Sequence, residues 1–428
     1  MSTDILMINV HSCRNAGDAA LTLVSIDQLR RQFPECRITL AMDDPGSHLG
    51  IGLALGSFFQ WVKREGQWHW FSLLWLLPAT LTPLLAYRLV KKPWFALTPV
   101  SWRPLIKAYV DTDLVVSKPG GFLYSSGRGL SLIIALYTLW LAHLAEKPVY
   151  LFPQSIGPFA RTWERALVKY VLNRARIVMT REPISLHQLE MCGVEAEKCR
   201  LLPDPAFAFA GVSEEEAEVW FRDHDILLNI GVPHLGMTVI DWAAQSPSFN
   251  QQTEYEGACA AAIRHFVVQY GGRAILFPQV WGPLESQDDR IPARRVADRL
   301  LDLGEAVVCI QEPVAPDLLR TIYKHMDLFI GTRMHSNIFA LSAGVPIIGI
   351  GYQPKTEGIT QLLDVAAWSI SIEAVTPRLL TELLDRLWRE RHEVRSHLQQ
   401  ILPDVISEAR KPGRMIASDF TEFQEGRK

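Results

Sequence analysis

The pattern F-P-Q-x-x-G-P occurs twice, as Phe152-Pro153-Gln154-Ser155-Ile156-Gly157-Pro158 and as Phe277-Pro278-Gln279-Val280-Trp281-Gly282-Pro283. Each copy closes a short apolar run of strand character. Around them such runs alternate with amphipathic stretches. Expected strands are Ile5–Val10, Arg37–Ala41, Asp113–Ser117, Pro148–Phe152, Arg176–Thr180 and Arg200–Leu202. A second series is Ile226–Ile230, Arg273–Phe277, Ala306–Ile310, Leu328–Ile330 and Pro346–Ile350. Helical patterns fall between them, among them Asp18–Gln32, Leu130–Ala145, Tyr255–Tyr270 and His335–Ala343. Strand–helix alternation builds parallel sheets with helices on both faces. Two series predict an α/β fold of two Rossmann-like domains. Ligands in such sheets sit beyond the carboxyl ends of the strands. The repeated turns are therefore either ligand-facing loops or a chance match of two turns.

The expected division is 1–212 for the first domain, 213–375 for the second, and 376–428 for charged C-terminal helices that pack back on the first half. The acidic stretch Ser213-Glu214-Glu215-Glu216 marks the boundary. A chain of 428 residues has room for two sizeable cores. A net charge of −3 gives no electrostatic case for a nucleic-acid partner. Cys13, Cys36, Cys192, Cys199, Cys259 and Cys309 include no C-x-x-C pair. They read as buried small hydrophobes in a reducing compartment. The N-terminal stretch from Ser2 to Val10 lacks the basic region of a signal peptide, so the expected location is cytoplasmic.

Residues 57–107 break the alternation. They hold Trp61, Trp68, Trp70, Trp75, Trp94 and Trp102, and Trp68 to Tyr87 carries no charged side chain. Lys63, Arg64, Arg88, Lys91, Lys92, Arg103 and Lys107 surround that run against the single acid Glu65. Pro78 and Pro83 argue against a regular spanning helix. A single crossing would also part strands expected in one sheet. Two readings stand: an insertion in the membrane interface, on the inner face of the cytoplasmic membrane, or a helical pair packed over the core.

Candidate chemistry lies at strand ends. After the first strand come Asn15, Gly17 and Asp18, a turn that offers backbone N–H groups to an anion, with Asp18 equally placed to cap the helix. It is not G-x-G-x-x-G. Gly120-Gly121 follows the third strand and admits close backbone approach. Arg181 ends another strand, aimed at a ligand or paired with Glu182 or another acid. The densest stretch is Gly331-Thr332-Arg333-Met334-His335-Ser336. A fixed guanidinium there suits a carboxylate or phosphate. A histidine two residues on exchanges a proton near neutral pH. Tyr352 and Lys355 follow the next strand and bring a cation to the same pocket.

Together these motifs resemble the polysaccharide pyruvyltransferase family of the colanic-acid and cell-wall type. The matching stretches are Asn15, Gly17, Asp18 and Ala20; Gly120-Gly121; Gln154-Ser155-Ile156-Gly157-Pro158; Arg181-Glu182 with Ser185; Asp204 with Ala206-Phe207; Gly331–Ser336; and Tyr352 with Lys355. They occur in the family's order over roughly residues 5–360. The resemblance implies a glycosyltransferase-B-like fold with the active site between its halves. It implies phosphoenolpyruvate as donor, no cofactor or metal, and a saccharide acceptor, lipid-linked or nucleotide-linked, that receives pyruvate as a ketal. It carries the catalytic roles to His335, Arg333 and Arg181. Substrate binding falls to Asn15, Asp18, Gly120, Gly121, Gln154, Asp204 and Lys355. His335 would protonate the donor's methylene carbon, with Asp18 or Asp204 as base for a hydroxyl. The segment 57–107 departs from the compact family pattern and would dock to a membrane carrying the acceptor. Two other readings compete: a nucleotide-sugar-dependent glycosyltransferase of the same fold, and a catalytically inert membrane-bound assembly factor.

Overall fold

The computed structural model describes residues 2–64, 67–125, 130–226, 228, 231–242, 249–282, 284–351 and 354–426. Two compact units result. The first comprises Met1–Cys13, Leu21–Pro205 and Glu408–Lys428, the second Arg14–Ala20 and Ala206–Ser407. The break thus follows Pro205, and the acidic stretch at 213–216 opens a helix, Glu214–Asp223, of the second unit. The chain rejoins the first unit at Glu408 and not at residue 376.

The first unit contains β1 (Asp4–Val10), β2 (Arg37–Met42), β3 (Leu53–Gly56), β4 (Lys63–Arg64), β5 (Gln67–Trp68), β6 (Leu114–Ser117), β7 (Gly120–Leu123), β8 (Val149–Ile156), β9 (Ile177–Thr180) and β10 (Cys199–Leu201). Its main sheet runs β10-β9-β8-β6-β1-β2-β3, all parallel, with β7 alongside the end of β8. The strands of this sheet are short apolar runs, and β6, β8 and β9 are buried throughout, as a sheet covered on both faces requires. β4 and β5 form a separate antiparallel pair.

The second unit contains β11 (His234–Met237), β12 (Arg273–Leu276), β13 (Val307–Cys309), β14 (Leu328–Gly331), β15 (Ile347–Gly351) and β16 (Ser369–Ser371), in the parallel order β13-β12-β11-β14-β15-β16. The strand expected at 226–230 falls largely outside the described residues. The central strand β11 was not expected, because His-Leu-Gly-Met carries no β-branched residue. Within each unit the strand order is 3-2-1-4-5-6 when counted from that unit's first strand, continued by a seventh strand in the first. Such an order reverses direction once, between β1 and β6 and between β11 and β14. Those reversals are where open α/β sheets bind ligands.

The Trp-rich segment is helical. Ser57 caps the helix Phe58–Val62, accepting from the Gln60 N–H, and His69 caps the helix Trp70–Val90. Pro78 and Pro83 lie inside that helix. Proline at 83 leaves the Ala79 carbonyl without its helical donor. The Thr98 hydroxyl supplies one at 2.6 Å. Leu76, Ala79, Thr80, Pro83 and Leu84 are buried, and the Thr80 and Tyr137 hydroxyls meet at 2.6 Å. Trp61 stacks on Trp102 with centroids 4.4 Å apart. The opposite face is bare: Leu74 is 75% and Leu89 81% exposed, with Trp70, Phe71 and Leu77 beside them. The helix is long and apolar enough to cross a bilayer. One crossing would put β3 and β6 on opposite sides, yet both belong to the sheet of β1.

The last helix, Lys411–Glu425, is clasped to the first unit. Buried Gln28 donates to the Ala409 carbonyl at 2.8 Å and accepts from the Gly413 N–H at 3.1 Å. Asp419 accepts from Tyr150 at 2.7 Å and from Arg176 at 2.8 and 2.9 Å. Gln28→Ala strands a buried carbonyl and a buried N–H, and the expected loss is about 1–3 kcal/mol. A urea melt checks this; an unchanged midpoint would show that the clasp holds nothing.

Candidate active site

In the second unit the reversal between β11 and β14 is stitched by hydroxyls. Ile330 lies opposite Met237, so Thr238 and Thr332 emerge together. The Thr332 N–H donates to Thr238 Oγ1 at 3.0 Å, and the Thr332 hydroxyl donates to the Thr238 carbonyl at 2.9 Å. Arg333 follows, in extended backbone conformation, and the helix Met334–Ser342 starts there without a side-chain cap. Its first turn presents N–H groups and the positive end of the helix dipole. Gly331 leaves room for the Asn337 side chain: a Cβ would lie 1.8 Å from Asn337 Oδ1.

Arg333 does not float. Its Nε and Nη2 donate to Asp289 at 3.2 and 2.5 Å. Asp289 is fully buried and also accepts from the Gln279 and Val280 N–H groups at 3.2 and 3.0 Å. Burial pushes this carboxyl above its ordinary range, while Arg333 and the two N–H groups pull it back. The F-P-Q-V loop is thereby tied to the arginine. Among the described residues, Nη1 of Arg333 has no partner. Asp289 was not foreseen: in Asp288-Asp289-Arg290 it looks like ordinary surface charge. Thr238 was missed with its strand.

The residues Arg14–Ala20 of the second unit join this cluster. Asn15 forms an antiparallel bridge with Val280, and the Ala16 N–H donates to the Gln279 carbonyl at 2.8 Å. Asn15 Oδ1 accepts from the N–H groups of Gly17 and Asp18 at 3.0 and 3.4 Å, so it caps its own helix, Ala16–Gln32. Asp18 sits half-buried in the first turn. Gly17 abuts His335: a Cβ there would stand 2.2 Å from Nδ1 of the imidazole. The N-x-G-D and R-x-H turns, over 300 residues apart in sequence, thus form one site. Lys355 starts the next helix, Pro354–Leu362, with its side chain outside what is described, as is Tyr352 altogether.

In the first unit Arg181 is 2% exposed. It donates to Ser155 Oγ at 2.7 Å and to Asp204 at 2.6 Å, with Glu182 at 3.6 Å. Ser185 holds the other oxygen of Glu182 and accepts from the Ile156 N–H. Arg181 and Asp204, expected as separate site residues, are partners at the β9–β10 edge of the sheet. Gln154 donates to Ser117 Oγ and the Lys118 carbonyl, both at 2.8 Å. Gly120 lies opposite Gln154 where β7 begins, and Gly121 follows it. The glutamines of the repeated pattern behave alike. Gln279 donates to Tyr323 at 3.0 Å, and Oε1 of both Gln154 and Gln279 is buried without a partner among the described residues. No group of three or more His, Cys, Asp or Glu fit to hold a metal occurs among the described residues.

Comparison with known proteins gives both sequence and structural likenesses. The sequence profile of the polysaccharide pyruvyl transferase family matches residues 15–354. The amylovoran biosynthesis protein AmsJ of Erwinia amylovora is 22% identical over 97% of this chain and 98% of its own. Among solved structures, a Listeria monocytogenes protein described as a UDP-N-acetylglucosamine 2-epimerase superposes with a TM-score of 0.59 at 12% identity, covering 99% of this chain and 97% of that one. The UDP-GlcNAc 2-epimerase of Neisseria meningitidis bound to UDP-GlcNAc gives 0.56 at 11%, covering 98% and 100%. Anabaena HepE in complex with UDP-glucose gives 0.54 at 14%, covering 97% and 99%. These structures share the fold, two Rossmann-like domains of the glycosyltransferase-B-like class.

The buried Arg181–Asp204 pair can be tested by unpairing it. Arg181→Met leaves Asp204 and Glu182 buried without their cation, and the expected loss is about 3–5 kcal/mol. Adding Asp204→Leu should restore much of it. A double variant no more stable than the single one would show that the two side chains are not coupled.

Proposed function

Because this chain belongs to the polysaccharide pyruvyl transferase family, and so is a pyruvyltransferase of polysaccharide biosynthesis, we propose that it takes pyruvate from phosphoenolpyruvate and places it as a ketal across two hydroxyls of a saccharide acceptor. The observation that carries the donor assignment is the R-x-H turn: a guanidinium fixed by Asp289, an uncapped helix start and an imidazole at one strand end. Phosphoenolpyruvate is small, dense in negative charge and in need of a proton on carbon. The phosphate suits the helix start together with Nη1 of Arg333. His335 as imidazolium gives its proton to the methylene carbon, and positive charge develops at C2. A sugar hydroxyl attacks C2 as its O–H proton returns to His335, phosphate departs with the bonding electron pair, and a neighbouring hydroxyl closes the ketal. Its proton leaves with the phosphate. Gly17 sets the place of the imidazole. Asp204, closed off with Arg181, serves as that residue's counter-ion and not as a base, and Arg181 acts at one remove by holding Ser155 and the strand end beside Gln154.

The acceptor in this reading is lipid-linked, and the enzyme sits peripherally on the inner face of the cytoplasmic membrane. Support comes from the bare outer face of Trp70–Val90. Its aromatic residues suit headgroup depth, and Arg88, Lys91 and Lys92 at its end suit anionic lipid.

Phosphate release is measured with phosphoenolpyruvate and detergent-extracted saccharide lipids from cells lacking this chain. Acceptor-dependent release is expected, with a loss of at least 100-fold in both His335→Ala and Gly17→Ala. Full activity in His335→Ala would overturn the assignment. Flotation with phosphatidylglycerol vesicles tests the membrane face. The wild type should float and a Trp70→Ser/Phe71→Ser/Leu74→Ser variant should not. A wild type that stays unbound would remove the docking role.

A further inference from the structure

Asp289 is spent on Arg333, but its chain neighbours Asp288 and Arg290 line a cavity of about 330 Å³ in the same second unit. One wall is the helix Arg290–Ala297, continued by Asp298; Gln311, two residues beyond the end of β13, closes the other side. The cavity thus lies past the carboxyl ends of β12 and β13, where open α/β sheets take their ligands. Arg290, Arg294 and Asp298 recur every four residues and share one helix face. Arg290 donates to the two oxygens of Asp288 at 2.9 and 2.6 Å, and to the Gln311 carbonyl at 3.3 Å. Arg295 is paired with buried Glu256 at 2.6 and 2.9 Å. Arg294 and Asp298 stand at the spacing where such a pair ordinarily joins. Instead Arg294 Nη2 donates to Gln311 Oε1, and the Gln311 amide is held in turn by the Cys309 sulfur at 3.0 Å and the Ile310 carbonyl at 3.3 Å. Nε and Nη1 of Arg294 and the Asp298 carboxylate are left without a partner among the described residues. Ile291, 38% exposed, is the apolar part of the lining.

The charges here cancel. Asp288 answers Arg290, Glu256 answers Arg295, and Arg294 stands against Asp298. A phosphate would meet Asp288 and Asp298 as well as the arginines, so the cavity does not select an anion as the R-x-H turn does. It offers a fixed donor, a fixed acceptor and a small apolar wall. Neighbouring hydroxyls of a sugar match that set: one donates to Asp298, the next accepts from Arg294, and the C–H face of the ring rests on Ile291. The volume is at the low end for ligand pockets and suits a single sugar ring. We propose that this cavity is a saccharide subsite, holding a further sugar of the acceptor chain beyond the one that receives pyruvate. This rests on the pyruvyl-transfer reading and deepens it on the acceptor side: the unit that holds the donor also reads the acceptor chain. The connection is short, since Asp289 touches Arg333 and is covalently joined to two residues of the cavity.

The experiment is steady-state phosphate release by the full chain with phosphoenolpyruvate and the same detergent-extracted saccharide lipids, alongside calorimetry with phosphoenolpyruvate and with UDP-glucose. Arg294→Met and Asp298→Ala should each raise KM for the saccharide lipid at least tenfold, as loss of a charge-assisted hydrogen bond to a bound sugar does. A sugar held alike in ground and transition states shows in KM, so kcat, donor Kd and melting temperature should stay within twofold or unchanged. Asp298→Asn keeps an acceptor oxygen and should lose less than Asp298→Ala. An acceptor KM within twofold of wild type in both variants, or a rise matched by weaker donor binding, overturns the proposal alone. So does UDP-glucose binding that is lost in Arg294→Met, which would make the cavity a nucleotide site. No release by the wild type overturns the pyruvyl-transfer reading, and this one with it.

Discussion

The second unit's chemistry depends on a carboxylate with no access to water. Burying Asp289 would be costly by itself, since a desolvated charge is stabilised only by close, well-directed donors. It has four: two from Arg333 and one each from the Gln279 and Val280 N–H groups. The same bonds fix the loops after β12 and β14 to each other. They also decide what Arg333 offers a ligand, which is one amino group in a set place in front of a helix start. A flexible arginine would have to be ordered on binding, whereas this one is oriented beforehand. The price is that a neutral pair attracts an anion less strongly than a bare guanidinium, and the helix start makes up for it.

The strand order explains why polar side chains gather where they do. At a reversal, neighbouring connections leave the sheet in opposite directions and open a crevice. β11 and β14 fill theirs with Thr238, Thr332 and Arg333; β1 and β6 place His11 and Lys118-Pro119-Gly120 at theirs. Arg181 and Asp204 lie at the β9–β10 edge, away from the reversal, and are closed off from solvent. Charge, position and exposure therefore separate residues fit to meet a ligand from residues fit to hold the scaffold. Sequence motifs list both kinds together.

Much of this was legible in the chain. Alternating runs gave the two parallel sheets, and the G-T-R-x-H-S stretch marked the turn that holds Arg333 and His335. What escaped did so for physical reasons. β11 was invisible because burial, and not side-chain branching, makes His-Leu-Gly-Met a strand. Asp289 was invisible because a buried acid and a surface acid look alike until their partners are known. Pro78 and Pro83 argued from local rules against a regular spanning helix, and both lie inside the helix Trp70–Val90. Thr98 overrode them for Pro83 by donating to the Ala79 carbonyl from outside the helix. That compensation is long-range, and no local pattern announces it.

The apolar segment is anchored in the first unit at both its ends. It is inserted after β3 and ends before β6, two strands of one sheet, so its ends must stay on one side. Its inner residues pack on Tyr137 and its neighbours, which fixes the helix to the first unit. Only the outer face is left to find a partner, and a contiguous apolar face of this kind marks an interaction surface. A lipid interface, as proposed, would cover it without displacing the inner contacts. Ser57 caps the first helix of this segment and also donates to Asp43, so the root of the segment is tied to the loop after β2.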